Sequence, residues 1–564
     1  MCGSTSNIIS DLPDTIFEKI LVLMPIRDAV RTSVLSKKWR FNWINIPVLA
    51  FDDTSLVDPY PTFFRQLLPP DQLSIKNRLL ATIYHVLLLH RGPILKFSLS
   101  ISVLKSCSEI DALISILSNH GIQELTLQIR KGDPHELPQS LFSCQQLTYL
   151  NLHSCVFKRP TTFKGFPWLV CLELREVIIT ADLFETFVSS CPLLEQLMFE
   201  SSSRFDFKGI DAPNLKVLSL MGIFKSIRVK NAPKVAHFSI HSKASVGVVE
   251  GGGGIFDLAG LLDGLPVLRS LHMDGPYLMS MVEEVCLGQV GRRLPTLWHL
   301  NILELSDVRL GKRVVWMILK LIGHSPKLHK VIIKPIITGD KNEASVLKFC
   351  EATLVSSKWH LNYLRKVEMR LVSGTKIELH FMKLLLAKSR VLESMVVKPN
   401  PAKVSDGGLS ILKEYHNFSV CHPRQKSRTE IQMNEKQFLL FATSNDSENL
   451  LPAFQEAAKG FKAKILNIPP IPDHATECLQ AQDFSDFSLN QLQEVEIRHF
   501  SGAEPEMFFV KILLAHSAIL KKKVIWHEQD MSDKKGFAMV KELTRFPRAS
   551  SDTELVVDAN VPTG

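Results

Sequence analysis

The chain has 564 residues, of which 45% are hydrophobic and 22% are charged, and its formal net charge is +9. These proportions are ordinary for a folded protein, so they exclude a mainly disordered or collagen-like chain. The length predicts three to four domains. A charge of +9 spread over this length is less than a dedicated nucleic-acid-binding domain usually carries, which argues against nucleic acid as the main partner.

The ten cysteines are scattered singly, and none forms a C-x-x-C pair. This usage is typical of a reduced, intracellular protein. The first residues, Met1–Ser6, lack the basic and apolar regions of a signal peptide, and no run of eighteen apolar residues occurs. We therefore expect a cytoplasmic and/or nuclear protein without membrane contact.

Residues 10–44 predict three short helices. The apolar stripe of the first helix consists of Leu12, Ile16, Ile20 and Met24, with Phe17 and Leu21 beside it. Pro25 is expected to end this helix, Asp28 to cap the second and Ser36 to cap the third. A module of about 35 residues cannot bury this much apolar surface alone. Periodicity therefore leaves two interpretations open, a docking module and a plain helical cap on the following domain.

The residues in this segment are more specific than their periodicity. Leu12-Pro13-Asp14, the Ile20-Leu21 pair, Pro25 and the stretch 28–40 with its Ser-Val-Leu-Ser-Lys-Lys-Trp-Arg end resemble the F-box, in particular its plant version. The resemblance implies a docking site for a Skp-family adaptor, which connects F-box proteins to the cullin scaffold of a ubiquitin ligase. The positions matching the adaptor-facing surface and its support are Leu12, Pro13, Leu21, Pro25, Val34, Leu35 and Trp39.

The middle of the chain repeats the unit Pro-x-Leu-x-x-Leu-x-Leu, with apolar substitutions. The units begin at Ile94, Ile122, Leu147, Pro167, Pro192, Pro213, Pro233, Pro266, Pro295 and Pro326. The prolines are 20 to 33 residues apart, which is within or a little beyond the length of about 20–29 residues typical of leucine-rich repeats. Each unit predicts one strand with inward leucines, and stacking of these strands predicts a solenoid. Variable residues that flank the inward leucines are candidate target contacts: Glu173, Arg175, Ser219, His237, Ser270 and His272.

The carboxy-terminal part contains a duplication with an offset of 128 residues. Counting from Leu364 and Leu492, fifteen of the first 34 positions are identical. Each copy predicts a strand, a Ser-Gly turn, an amphipathic helix and a Val-rich strand, and each resembles the FBD domain of plant F-box proteins. One such domain is expected in those relatives, so the second copy represents either a tandem duplication or two joined reading frames.

The fold class predicted is α/β, with a small helical F-box, a leucine-rich-repeat solenoid and carboxy-terminal α+β FBD units. The expected boundaries are 8–48 for the F-box, 49–340 for the repeats, 344–430 for the first FBD-like unit, 431–490 for a linker and 491–560 for the second FBD-like unit. The linker is expected because this segment contains proline-rich and polar stretches.

No sequence pattern indicates a catalytic residue, a metal site or a cofactor. The run Gly251–Gly254 lacks the Gly-Lys-Ser/Thr of a phosphate loop and is interpreted as a flexible insertion. We expect a non-catalytic substrate-recognition subunit of an SCF-type cullin-RING ubiquitin ligase, which binds a Skp-family adaptor and a target protein. The alternative is a leucine-rich-repeat scaffold that is not coupled to ubiquitination and would not bind the adaptor.

Overall fold

The structure of the chain is a computed structural model. It describes residues 13–35, 39–52, 72–101, 108–130, 132–158, 163–243, 257–287, 294–336, 343–356, 361–400 and 402–404, with shorter stretches between 411 and 558. Leu12, Ser36 and Gly251–Gly254, which carry predictions made above, lie outside the described residues. The chain divides into two compact units, a first unit of residues 1–268 and 283–295 and a second unit of residues 269–282 and 296–564.

The secondary structure is mixed, with short strands alternating with helices. The described α-helices are Asp14–Val22 (α1), Ile26–Arg31 (α2), Gln72–Leu89 (α3), Ser108–Ser118 (α4), Ala181–Ser189 (α5), Leu258–Asp263 (α6), Gly275–Leu287 (α7), Lys312–Gly323 (α8), Glu343–Val355 (α9) and Lys376–Lys388 (α10). The strands in the first unit are Val48–Asp52 (β1), Lys96–Ile101 (β2), Glu124–Ile129 (β3), His135–Glu136 (β4), Tyr149–His153 (β5), Cys155–Val156 (β6), Cys171–Arg175 (β7), Gln196–Asp211 (β8), Val217–Asn231 (β9) and His237–His241 (β10). The strands in the second unit are Ser270–Asp274 (β11), Ile302–Val308 (β12), Lys330–Pro335 (β13), Lys366–Val372 (β14), Ser394–Pro399 (β15), Arg428–Ile431 (β16), Lys462–Leu466 (β17), Glu494–Phe500 (β18), Lys522–His527 (β19) and Glu554–Asp558 (β20).

The N-terminal module begins with two helices that each follow a proline. The carbonyl oxygen of Pro13 accepts a hydrogen bond from the backbone N–H of Ile16 (2.9 Å), and the carbonyl oxygen of Pro25 accepts one from Asp28 (2.9 Å). Proline suits a helix start because its φ is already helical and it has no N–H to leave unpaired. Asp28 therefore lies inside the first turn of α2, so the expectation that it caps this helix is wrong.

The core of this module is built from aromatic rings. Phe17 and Leu21 on α1 are fully buried, and Phe17 meets Trp39 edge-on with ring centroids 4.6 Å apart. Trp39 and Trp43 belong to one 3₁₀ helix, and both are buried. The side of α1 that carries Phe17 and Leu21 is therefore the inner side of the module.

The repeat strands of the first unit pair in parallel in the order β1, β2, β3, β5, β7, β8, β9 and β10. The pairing aligns one apolar residue per strand in a single row, all of them buried: Leu49, Phe97, Leu125, Leu150, Leu172, Leu197, Leu218 and Phe238. Because side chains alternate along a strand, the intervening residues lie on the opposite face of the sheet. The repeat period thus separates a leucine core from a polar sheet face.

Strands β8 and β9 are much longer than their neighbours, and their second halves also pair in parallel. A cluster of phenylalanine rings fills the space behind them: Phe184, Phe199, Phe205, Phe207 and Phe224. The rings of Phe184 and Phe199 are 4.7 Å apart, within the range in which aromatic pairs attract each other. Phe184 lies on the buried side of α5, so a helix and the two long strands together supply the phenylalanines of this core.

In the second unit, strands β11 to β16 pair in parallel in chain order, and helices α7 to α10 lie in the successive connections from β11 to β15. Parallel neighbours need such crossover connections. The inner row consists of Leu271, Leu303, Val331, Val367 and Met395, and all five are buried. The ten repeat units predicted from the sequence each contain one strand, the last being β13.

The carboxy-terminal sequence duplication is also present in the secondary structure. Strands β14 and β18 begin and end 128 residues apart, and so do β15 and β19. Glu368 pairs with Val396 in the first copy, and Glu496 pairs with Val524 at the same register position in the second. Strands β17 to β20 form a parallel sheet in chain order. Strand β17 falls within the segment 431–490, so this part of the expected linker belongs to the sheet.

Candidate functional site

The first candidate site is the outer surface of the N-terminal module. Val34 is 87% exposed and Leu35 is 63% exposed, at the end of the short 3₁₀ helix Thr32–Val34. Pro13 and Pro25 are also exposed, each at the start of a helix. Of the residues that the resemblance assigns to the adaptor surface, these four are accessible to a partner, while Leu12 lies outside the described residues.

The remaining two assigned residues lie inside the module. Leu21 has no exposed surface and Trp39 is 4% exposed, so both can support a docking surface without contacting a partner. Three further apolar residues of the module, none of them among the seven assigned positions, are exposed: Leu23 (86%), Phe41 (62%) and Ile16 (40%). Phe41 lies two residues from the buried Trp39 in the same 3₁₀ helix, and this spacing places the two side chains on different sides of that helix.

The same module also covers the beginning of the first unit's sheet. The backbone N–H of Gly92, before β2, donates to the carbonyl oxygen of Ile44, and His90 Nε2 lies 2.9 Å from the carbonyl oxygen of Ile46. A Cβ atom on Gly92 would lie 2.6 Å from the backbone oxygen of Asn45. These contacts fit the role of a cap, whereas the exposed apolar residues fit docking, and different residues carry the two roles.

The polar sheet face of the first unit is a second candidate surface, with Glu173 at its centre. The Tyr149 hydroxyl donates to Glu173 Oε1 (3.0 Å), and Asn151 Nδ2 and Arg175 Nη2 donate to Oε2 at 3.0 and 3.1 Å. Burial raises the pKa of Tyr149, and so does the Glu173 carboxylate, so the hydroxyl keeps its proton and remains a donor. The candidates Glu173 and Arg175 are thus held together in a fixed network.

The corresponding face of the second unit holds a denser group of charges. Glu368 accepts hydrogen bonds from Arg370 Nε (2.8 Å) and Lys398 Nζ (2.9 Å), and Lys330 Nζ lies 3.4 Å away. Arg370 also donates to Glu304 at 3.2 Å. Burial alone would raise the pKa of Glu368, but the hydrogen bonds and charges of Arg370 and Lys398 lower it to about 2. This carboxylate therefore stays ionised at any physiological pH.

The other four candidate residues lie on the same faces without forming one site. Ser219 shares a hydrogen bond of 2.8 Å with Ser239, and His237 is exposed. Ser270 and His272 are half-buried in the second unit, where burial lowers the pKa of His272 and keeps its ring neutral. Each of the six candidates directly flanks a buried apolar residue of its strand.

The cysteine thiols whose pKa values are shifted are held in their protonated form. Burial raises the pKa of Cys144, Cys171, Cys191 and Cys350 to about 11 and that of Cys155 to about 12. These thiols stay protonated at neutral pH, and the thiolate is the nucleophilic form.

In the described ranges, no group of three or more His, Cys, Asp or Glu residues is placed to hold a metal ion. No helix in the described part of the chain combines the length and apolar character needed to cross a membrane.

Comparison with known proteins identifies two domains. The F-box domain family matches residues 9–47, and the family described as FBD-associated F-box protein At5g56370, LRR repeats, matches residues 110–251. The F-box/FBD/LRR-repeat protein At1g13570 of Arabidopsis thaliana is 36% identical over 429 residues, which are 75% of this chain and 98% of that protein. The FBD-associated F-box protein At5g56370 of the same plant is 31% identical over 41% of this chain and 58% of its own length. The F-box/LRR-repeat protein At4g14103, also from Arabidopsis thaliana, is 30% identical over 38% of this chain and 56% of its own length.

Proposed function

The chain belongs to the F-box/FBD/LRR-repeat proteins of plants, and from this premise we propose that it is the substrate-recognition subunit of an SCF-type cullin-RING ubiquitin ligase. F-box/LRR proteins are typically non-catalytic adaptors. In this proposal the N-terminal module binds a Skp-family adaptor and, through it, the cullin scaffold, while the repeats bind a target protein. No cofactor takes part.

The observation that supports adaptor binding most directly is the exposure of Val34 and Leu35 on a segment that matches the F-box. Two neighbouring aliphatic side chains that remain largely in water are unfavourable unless a partner covers them. Leu21, Trp39 and Phe17 form the buried core beneath this surface. We assign Leu12, Pro13 and Pro25 to the same docking surface by their place in the box.

The proposed mechanism is proximity. The receptor holds the target so that its lysines lie near the ligase-bound ubiquitin carrier, which raises their effective concentration there. The ubiquitin-transfer chemistry belongs to other subunits. The protonated thiols described above are consistent with such a division of labour.

The domain boundaries proposed for this function are 8–48 for the F-box, 49–340 for a leucine-rich-repeat solenoid, and 344–430 and 491–560 for two FBD units. The equal register of β14–β15 and β18–β19 supports a second copy of the last unit, which either a tandem duplication or two joined reading frames would produce. We propose that the protein acts in the cytoplasm and/or the nucleus, where SCF-type ligases operate.

The test is co-purification of the full chain with a Skp-family adaptor from a plant. We expect capture of the unaltered chain and loss of capture for the double variant Val34→Ala with Leu35→Ala. Leu88→Ala is the matched control, because Leu88 on α3 is also exposed (83%) but lies outside the box. Failure of the unaltered chain to bind would overturn the proposal in favour of a scaffold uncoupled from ubiquitination. Capture of the double variant at full strength would show that Val34 and Leu35 are not the docking residues.

A further inference from the structure

Cations collect at the amino-terminal edge of the second unit's sheet, in the turns that lead into its strands. We use the name basic edge for six of them: Arg269, Lys327, Lys330, Arg365, Lys366 and Arg390. Lys330 pairs with Lys366 in register, and Arg269 and Arg365 each directly precede the first paired residue of their strand. Five of the six side chains are exposed and Lys330 is half-buried.

The basic edge has an excess of positive charge. The residues of the second unit that lead into and open these strands (269–270, 296–302, 323–330, 361–366 and 389–394) contain these six Lys and Arg residues and one acidic residue, Glu393. Glu393 pairs with Arg365 at 2.8 Å, and Lys330 pairs with Glu368 inside the sheet. Among the described residues, no carboxylate forms an ion pair with Arg269, Lys327, Lys366 or Arg390, so these four charges are available to a partner.

The fold itself does not require cations at these positions, as the first unit shows. We compare two positions of each paired strand, its first residue and the residue directly before it. In the first unit these positions hold two lysines and two glutamates. These form the pairs Lys96–Glu124 (2.7 Å) and Lys216–Glu195 (2.6 Å). The same two positions of strands β11 to β15 in the second unit hold four cations and one glutamate. At these two positions the first unit is therefore neutral, whereas the second unit is basic.

Two exposed aromatic side chains accompany the basic edge. Trp298 is 64% exposed in the turn before β12, and Tyr363 is 59% exposed in the turn before β14. Aromatic residues and arginine are enriched among the residues that contribute most to protein interfaces. Their combination with unpaired cations is typical of a binding surface for an acidic partner with some apolar character.

We infer that the basic edge binds an Asp/Glu-rich segment of the target protein, with Trp298 and Tyr363 contacting apolar side chains of that segment. This inference rests on the proposed function, because it assumes that the chain is a target receptor. Neighbouring strands are about 4.8 Å apart, so the distance from β11 to β15 is about 19 Å. An extended peptide advances about 3.3 Å per residue, so about six residues of the target span the edge.

A carboxylate-rich peptide fits this surface better than a nucleic acid. Nucleic-acid affinity grows with the number of phosphates that are neutralised. Of the six cations, Arg365 and Lys330 already pair with glutamates, which leaves four cations to neutralise phosphates. Four available cations match a short acidic segment.

The experiment measures fluorescence anisotropy of a labelled peptide of about twelve residues, rich in glutamate with one leucine, against the full chain with and without the adaptor. The double variant Lys327→Glu with Lys366→Glu is expected to weaken binding by about tenfold or more, since tenfold corresponds to the loss of a single good charge contact. The matched control, Lys216→Glu with Lys234→Glu, reverses two charges in equivalent turns of the first unit and is expected to change affinity less than about twofold. Binding of the unaltered chain is expected to weaken as salt rises from about 50 to about 300 mM.

Three results would overturn the inference: no peptide binding at low salt, equal losses in the two double variants, or tighter binding of a polyuridine RNA of about twelve nucleotides. Adaptor binding is measured on the same samples and separates this inference from the proposed function. If the chain binds the adaptor but not the peptide, the inference about the basic edge is refuted and the proposed function is not. Peptide binding by a chain that does not bind the adaptor supports the basic edge and refutes the ligase role.

Discussion

The edge of the Phe17 ring faces Trp39, with centroids 4.6 Å apart and an angle of 87° between the ring planes. Both rings are buried, whereas Val34 and Leu35, which lie between them in sequence, are exposed. The N-terminal module therefore divides its apolar residues between an internal core and an outer surface. Changes to the two groups should have different consequences, because one group stabilises the fold and the other is available for docking.

Phe17→Ala should unfold the module locally. Removing a fully buried phenylalanine usually costs about 3–5 kcal/mol, which exceeds what a segment this small can lose. Hydrogen exchange of residues 14–45 should become fast, while the sheet of the first unit stays protected. Phe41→Ala is the control, because Phe41 belongs to the same module but is 62% exposed. Slow exchange in Phe17→Ala would show that the ring pair is not the core.

Gly92→Ala should loosen the attachment of the module to β2. A Cβ atom at residue 92 would lie 2.6 Å from the carbonyl oxygen of Asn45, and backbone cannot move aside as a side chain can. Overpacking of this kind typically costs about 1–3 kcal/mol. The measurement is the rate of limited proteolysis in the segment 44–52. Gly323→Ala, where a new Cβ meets no atom within 4 Å, should leave that rate unchanged.

The strands of the repeats are predictable from neighbouring residues, whereas the side-chain contacts between strands are not. The leucine period alone predicts a strand in each repeat unit, because alternation along a strand decides which side chains enter the core. The group around Glu368 could not be predicted in this way. Its members Glu304, Arg370 and Lys398 come from three different strands, and register across up to 94 residues of sequence brings them together. The exposure of Leu23 could not be predicted from the sequence either. The helical periodicity of α1 ends with the helix at Val22 and does not apply to the next residue.

The Glu368 group predicts a pH-dependent contribution to stability. The pKa of the Glu368 carboxyl is about 2 in the folded chain, whereas its ordinary value is 4.5. The contribution to stability is therefore complete above about pH 5 and is lost as the pH falls from about 4.5 towards 2. A difference of this size corresponds to about 3 kcal/mol. Arg370→Met should therefore lower the free energy of unfolding at pH 7 by about 2 kcal/mol, because Lys398 and Lys330 still pair with the carboxylate.

Denaturant unfolding at pH 7, 5, 4 and 3 measures this effect. The difference between the unaltered chain and Arg370→Met should be constant from pH 7 to 5 and then shrink. Arg365→Met is the matched control, because Arg365 also pairs with a glutamate on this sheet, Glu393, but both side chains are more than half exposed. Its effect should be below about 0.5 kcal/mol at every pH. A difference for Arg370→Met that does not change with pH would contradict an electrostatic origin.

Thr375→Ala should destabilise α10 in the first copy of the duplication. The Thr375 hydroxyl accepts the backbone N–H of Glu378, and the buried Glu378 carboxylate in turn accepts the backbone N–H of Thr375 at 2.8 Å. Loss of such a cap costs about 1 kcal/mol. The sequence of the second copy has Ala503 at the equivalent position and retains Glu506, so it lacks the hydroxyl of this pair.

The two copies therefore allow a reciprocal experiment in the full chain. Thr375→Ala should speed hydrogen exchange in the first turn of α10, and Thr375→Ser should leave it slow because serine caps equally well. Ala503→Thr should slow exchange at the equivalent turn of the second copy by a corresponding amount, since Glu506 is already present to complete the box. If Ala503→Thr has no effect while Thr375→Ala does, the second copy does not form the same helix start, and the duplication extends to its strands alone.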